Sequence, residues 1–321
     1  MSFEFHPPSL LAGRKGAGKL KTRNLKLKTQ NSKLSWVEHH CEYNLGAGGA
    51  MAKLNGKIAF ITGASSGIGA AMAREFARRG SDVVLLARRW ERLEALALEV
   101  RARGRRALTI RCDVTSDDDL EKAVEAALEE FGRIDWVIAN AGFGVAGAVH
   151  KLSTDDYHRQ FDTNVFGVLR TVQATREALI ASRGSIAIMG SVMSYLALPV
   201  SSPYSMSKHA VRALAGSLRA EMAKYGVGVT LLAPGFVVSE IRQVDNQGQH
   251  HEAARDKIPQ WLSMDTDKAA SKLVKAVIKR KREAVITGHG KIVVFLERHF
   301  PRVISFLVRV AGVDKRRHRE V

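Results

Sequence analysis

Residues 57–80 read KIAFITGASSGIGAAMAREFARRG: an aliphatic run, a glycine-rich turn and an amphipathic segment in immediate succession. Ile58–Ile61 has the length and the branching of a buried strand. Ile68–Arg79 spaces small and apolar residues as a helix does, and Gly80 falls where such a helix stops. Between them, residues 62–69 carry Gly63, Gly67 and Gly69 as G-x-x-x-G-x-G. Glycines at this junction let the chain turn tightly and let backbone amides approach a pyrophosphate at the helix N-terminus, where the helix dipole favours negative charge. A glycine triplet alone is a weak signal; between an apolar strand and an amphipathic helix it predicts a nucleotide-binding turn.

The same strand–helix alternation continues downstream. Val83–Ala87, Ala107–Arg111, Trp136–Ala139, Ser185–Met189 and Val229–Ala233 read as strands, separated by helical stretches such as Glu91–Arg103 and Asp117–Phe131. Ser116 precedes three aspartates, the pattern of an N-cap with acidic residues in the first turn, and Gly104 and Gly132 mark helix ends. A helix over Thr266–Lys281 and a last strand over Ala284–Thr287 complete the series. The expectation is an α/β fold: one Rossmann-type, doubly wound parallel sheet in a three-layer α/β/α domain, with no internal repeat and no second domain.

The second strand ends VVLLARR, residues 83–89. An acidic residue there would hydrogen-bond a ribose 2′-hydroxyl. Here no carboxylate stands at the position; Ala87 leaves room, and Arg88 and Arg89 suit a 2′-phosphate through charge-assisted bonds, so NADP(H) is expected over NAD(H). Further on, Gly190–Lys208 reads GSVMSYLALPVSSPYSMSK. Tyr204 and Lys208 are four apart, hence on one face of a helix, where a nearby cation favours the phenolate and makes the tyrosine a usable proton donor. Ser191 follows a buried strand and so belongs at the sheet's C-terminal edge, where open α/β sheets place their chemistry.

Taken together, these residues resemble the short-chain dehydrogenase/reductase family in its common single-domain form, over roughly residues 55–290. The resemblance rests on TGASSGIG at 62–69, Asp113 and Val114 after the third strand, ANAG at 139–142, Asn164, Ser191, YSMSK at 204–208 and PGFVVS at 234–239. It implies that Gly63, Ser65, Ser66, Gly67, Ile68 and Gly69 line the dinucleotide, and that Asp113 and Val114 border the adenine. Asn140, Ala141 and Gly142 would line the cofactor and steady the fourth strand. Asn164, Ser191, Tyr204 and Lys208 would form the catalytic set, with Asn164 holding a water in a proton relay. Pro234, Gly235, Val237 and Ser239 would hold the nicotinamide end, with Tyr204 and Lys208 also touching the cofactor. Ala139 stands where the family often has Asn, and Ser239 where it usually has Thr; both are mild departures. The implied activity is hydride transfer between a carbonyl and an alcohol, in a homodimer or homotetramer paired through helices around Tyr157–Ala178 and the helix carrying Tyr204. The rival reading is an NADP(H)-binding sensor or scaffold without turnover, which NADPH oxidation against a ketone and aldehyde panel would distinguish.

Composition bounds the remaining options. Forty-five per cent hydrophobic content supports a sizeable core, and two cysteines, Cys41 and Cys112, form neither a disulfide framework nor a metal spacing, so a reducing, cytoplasmic setting is expected. The net charge of +18 is uneven. Residues 1–50 carry eight Lys/Arg against three Asp/Glu, and residues 268–321 fifteen against four, leaving +2 for residues 51–267. Basic ends with no aromatic interleaving do not point to nucleic acid, whereas an anionic membrane surface remains open as a peripheral contact.

The first fifty residues read as a disordered basic extension, with Met51 a natural start for the domain; GRKGAGK at 13–19 has phosphate-loop spacing but lacks the Ser/Thr and the preceding strand. His250 and His251 read as exposed loop residues within a substrate-covering segment, not as metal ligands, and no metal is expected. The catalytic domain is expected to end near residue 290, followed by a basic extension over 291–321. Pro301–Ala311 in it is amphipathic, with Arg302, Ser305 and Arg309 on one face, which suits packing on the domain or a partner, or an interfacial helix beside the entrance for a lipid-like substrate.

Overall fold

The computed structural model describes residues 54–249, 251 and 259–310. The readings of residues 1–50, of Met51, of His250 and of Ala311 onward lie outside them.

Seven strands form one parallel sheet: β1 (Ile58–Thr62), β2 (Asp82–Ala87), β3 (Ala107–Arg111), β4 (Trp136–Ala139), β5 (Ser185–Met189), β6 (Gly228–Ala233) and β7 (Glu283–Val285). Their spatial order is β3-β2-β1-β4-β5-β6-β7. Helices α1 (Gly67–Arg78), α2 (Trp90–Arg101) and α7 (Thr266–Ile278) cover one face, and α3 (Asp117–Phe131), α5 (Gly167–Ser182) and α6 (Ser202–Ala223) the other. The alternation of β1 shows why the sheet needs both layers. Ala59 and Ile61 pack with Phe76, Leu93 and Leu273 on one side, while Ile58 and Phe60 pack with Leu120, Leu179 and Val211 on the other. Ser116 caps α3 by accepting the Asp119 N–H (3.2 Å), and Gly132 ends it in the left-handed region (φ 72°). Strand order reverses between β1 and β4, which opens a crevice at their C-terminal ends.

Between α4 (Thr154–Phe161) and α5 the chain makes a π turn over Asp162–Phe166. The C-terminal part differs from expectation. α7 stops at Ile278 because Arg280 turns into the left-handed region (φ 48°), and Thr287, expected within the last strand, stands at the residue before a further helix, α8 (Gly288–His299). Its GHG start reads locally as a loop. This helix runs across residue 290 and buries Val294 (5% exposed) in the core beside α6, so the chain just after 290 belongs to the domain's own packing. α9 (Pro301–Val310) follows.

Candidate active site

The glycine-rich turn is held by its neighbour across the crevice. Thr62 Oγ1 accepts the N–H groups of Asn140 (3.0 Å) and Ala141 (3.1 Å). Asn140 Nδ2 in turn donates to the carbonyls of Thr62 (2.9 Å) and Gly63 (3.2 Å). These bonds tie the ends of β1 and β4 together at the switch point. The turn has no room for side chains: a Cβ on Gly63 (φ +66°) would stand 2.8 Å from Ala141 Cα, and one on Gly69 would stand 2.3 Å from the Gly63 oxygen. α1 then starts without a side-chain cap from Ser66, and a helix N-terminus of this kind favours an anion. This backbone cradle fits a dinucleotide pyrophosphate. Ser239 closes over it, since a Cβ on Gly67 would lie 3.3 Å from Ser239 Cβ.

The two arginines after β2 take different partners. Arg89 donates to Ser65 Oγ (3.1 Å) and Ser66 Oγ (2.7 Å) on the glycine-rich turn, whereas Arg88, 66% exposed, leans toward Asp113 (3.8 Å). Asp113 is fixed by bonds from Thr115 N–H and Oγ1, and Val114 is buried against Gly167. One group unforeseen in the sequence sits here. Glu240, just beyond PGFVVS, accepts from Arg89 Nη1 (3.0 Å) and Arg92 Nη1 (2.6 Å), bridging the segment after β6 to the start of α2. Burial pushes its carboxyl up, but the bonds from Arg92 and Arg89 outweigh that and hold it below the usual carboxylate range.

On α6, Tyr204 and Lys208 share a face as their spacing requires. Lys208 Nζ lies 5.5 Å from the centre of the Tyr204 ring and donates to the Met189 carbonyl at the end of β5 (2.8 Å). The side chain is buried, which lowers its pKa to about 8. Two residues beyond Met189, Ser191 caps the turn over Val192–Ser194, its Oγ accepting the Met193 N–H (3.1 Å). Ser194 is wholly buried and accepts the Ser191 N–H (3.1 Å), which keeps its hydroxyl in a supporting position behind Ser191.

Asn164, wholly buried in the π turn, accepts the Phe143 N–H (3.1 Å) and donates to the Phe143 carbonyl (3.0 Å) and to Ser207 Oγ (3.3 Å). Ser207 Oγ donates to the Tyr204 carbonyl (2.7 Å), so Asn164, the loop after Gly142 and the start of α6 form one connected brace. Gly142 is required for it, because a Cβ there would lie 2.9 Å from Asn164 Oδ1.

The loop after β6 completes the crevice wall. The Pro234 carbonyl accepts the Val192 N–H (3.0 Å), and Val237 pairs with Met264 in a short parallel bridge. Gly235 is pressed on by Thr287 and His289, at 2.3 and 2.6 Å from the Cβ it lacks. His289 Nε2 accepts the Phe236 N–H (3.3 Å), and burial holds the imidazole below its ordinary pKa. Neither His289 nor Thr287 has a motif that would single it out in the sequence. In the loop that follows, His251 pairs with Asp245 (2.6 Å).

The family model for short chain dehydrogenases matches residues 57–250. An A-factor type gamma-butyrolactone 1′-reductase of Streptomyces virginiae is 42% identical over 191 residues, 59% of this chain and 74% of that protein. The 11-beta-hydroxysteroid dehydrogenase A of Sesamum indicum is 30% identical over 266 residues, 79% of this chain and 75% of its own length. Among solved structures, a short chain dehydrogenase/reductase from Burkholderia phymatum in complex with NAD superposes with a TM-score of 0.70 at 27% identity, covering 79% of this chain and 96% of that one. An alcohol dehydrogenase from Thermococcus sibiricus complexed with 5-hydroxy-NADP gives 0.63 at 30% identity, covering 72% and 95%. The parallel sheet, the glycine cradle at its switch point and these matches make this chain an oxidoreductase of the short-chain dehydrogenase/reductase family.

Proposed function

We propose that this chain is an NADP(H)-dependent oxidoreductase that interconverts a ketone or aldehyde and its alcohol on a hydrophobic substrate. The observation that carries the reading is Lys208, buried one helical turn from Tyr204 and braced through Met189 to the strand that delivers Ser191. The dinucleotide, when bound, supplies or accepts the hydride. Tyr204 delivers the proton to the oxygen of the reduced carbon, and Lys208 favours its phenolate form and so keeps the phenol acidic enough to do so. Ser191 Oγ already accepts the Met193 N–H, so its own O–H is directed as a donor to the substrate oxygen. Asn164, with its amide committed to Phe143 and Ser207, braces the site and does not meet the reacting atoms through its side chain.

The preference for NADP(H) is supported by Arg89, which lies on Ser65 and Ser66 at the end of a strand that offers no carboxylate. A hydrophobic substrate is supported by the two relatives named for a butyrolactone and a steroid. A homodimer or homotetramer is supported by Phe166 (48% exposed) and Met206 (50%), which present apolar surface on the π turn and α6. A reducing, cytoplasmic compartment suits Cys112, a buried thiol pushed up to about 12 by desolvation. Among the described residues no helix is long and apolar enough to cross a membrane.

The test is NADPH oxidation with a panel of acyl, steroid and sugar ketones and simple aldehydes. The wild type is expected to turn over at least one class. Tyr204→Phe should lose at least about a hundredfold in kcat, the scale of general-acid catalysis, while NADPH binding is retained. Ordinary turnover by Tyr204→Phe, or inactivity of the wild type across the panel with NADPH bound, would overturn the assignment.

A further inference from the structure

The C-terminal helices carry a surface that the catalytic reading leaves unused. α8 buries Val294 in the core, and α9, with Ile304 buried, packs on α8. Outward, however, α8 exposes Ile292 (62%) and Phe295 (55%), and α9 exposes Val303 (45%), Phe306 (63%) and Leu307 (48%). The α9 residues sit at i, i+3 and i+4, one stripe of a helix. Phe295, His299 and Phe300 form a ring cluster at the C-terminal end of α8, Phe295 stacking on His299 at 4.4 Å and approaching Phe300 at 6.4 Å. The exposed apolar surface of α8 is thereby carried to Phe300, the residue before α9.

The charges beside that area have one sign. Residues 288–310 contain Lys291, Arg298, Arg302 and Arg309 against the single carboxylate Glu297. Arg298 is occupied, bound to Glu283 (2.8 Å), but Lys291, Arg302 and Arg309 are all exposed. On α9, Arg302, Ser305 and Arg309 form the row next to the apolar stripe. A second copy of this chain would bring the same cations against each other, whereas a negatively charged apolar layer complements both features at once.

We propose that α8 and α9 form a docking surface for an anionic phospholipid layer, the phenyl and aliphatic side chains entering the headgroup boundary while Lys291, Arg302 and Arg309 meet lipid phosphates. His289 packs behind Gly235 at the cofactor end, and Arg298 bonds Glu283, which stands in register with Leu231 of β6 and Ile188 of β5.

Flotation of the full chain with vesicles of phosphatidylglycerol and phosphatidylcholine, and with phosphatidylcholine alone, tests this. Binding is expected to the anionic vesicles at low salt, weakened by added salt and on phosphatidylcholine alone. The double variant Phe306→Ser/Leu307→Ser and the pair Arg302→Gln/Arg309→Gln should each lower partitioning by about tenfold or more, with NADPH binding and thermal stability unchanged. These side chains are exposed, so their replacement does not unseat the core. No flotation with either vesicle overturns the proposal, as does equal binding to both. A wild-type oligomer that the Phe306→Ser/Leu307→Ser variant converts to a smaller species in light scattering also overturns it, because the surface would then be a contact between copies.

Discussion

Lys208 is a place where activity and stability oppose each other, and Lys208→Met separates them. The ammonium donates to the Met189 carbonyl at 2.8 Å, and burial lowers its pKa from 10.5 to about 8. A lowered lysine pKa means that the folded state disfavours the charged form. Below about pH 8 both folded and unfolded chains carry the proton, and the fold bears the whole penalty, about 3 kcal/mol at ~1.4 kcal/mol per pH unit. As pH rises from about 8 to 10.5, the unfolded chain holds its proton while the folded chain releases it, so wild-type stability rises with pH across that window. Methionine has similar volume and no charge, but it leaves the Met189 carbonyl without this donor, at a cost of about 1–2 kcal/mol. The cofactor-free variant should therefore be more stable than the wild type at pH 7 by about 1–2 kcal/mol, a few degrees in Tm for a domain of this size, and inactive. The gap should shrink or reverse by pH 9.5. Melting curves of both proteins at the two pH values measure it. A variant that melts below the wild type at pH 7, by a margin independent of pH, would show that Lys208 is not a desolvated cation.

Three further outcomes follow from the cofactor crevice. Arg89→Ala should lower kcat/KM for NADPH by about tenfold or more relative to NADH, the worth of a charge-assisted bond, and an unchanged ratio would place the 2′-phosphate elsewhere. Glu240 competes with any phosphate for Arg89 and Arg92; because the three side chains are about a third exposed, Glu240→Gln should tighten NADPH about two- to tenfold in a fluorescence titration and leave NADH nearly unchanged. Weaker NADPH binding in that variant would mean that the carboxylate positions the arginines for the phosphate. Gly69→Ala would put a Cβ 2.3 Å from the Gly63 oxygen and 2.6 Å from Asn140 Nδ2, so the turn must shift: a loss of about 1–3 kcal/mol in urea unfolding and of nucleotide binding is expected, and an intact crevice in the alanine variant is the refuting result.

The central strands were legible because each is a short aliphatic run buried on both faces, as in Phe60 and Ile61 of β1 or Ile186 and Ala187 of β5. The glycine turn was equally open, since Gly63 and Gly69 leave a signature that geometry alone explains. What escaped was partnership across loops. Asn164 could be named as a site residue, but nothing in its neighbourhood of sequence says that its amide would be spent on Phe143, twenty-one residues earlier, or on Ser207, forty-three later. Glu240 and His289 are ordinary residues until folding sets them against Arg89 and Phe236. α8 hid for another reason: its outward residues Ile292 and Phe295 are as apolar as its inward Val294, so the usual contrast between faces is blurred.

The π turn over Asp162–Phe166 has a consequence for what this chain can tolerate in length. Before it, Gln160 holds the Phe143 carbonyl (2.9 Å) and the Val145 N–H (2.6 Å); within it, Asn164 holds Phe143 again; after it, Val168, Val172 and Leu179 face the sheet. One extra residue in a helical turn displaces everything downstream by about 100° about the axis. The segment therefore behaves as two rulers laid end to end with offset zeros, one graduated for the loop and one for the sheet. Substitutions along either ruler are judged locally, but deleting a single residue at the join would swing the sheet-facing valines aside while the loop-facing amides kept their place.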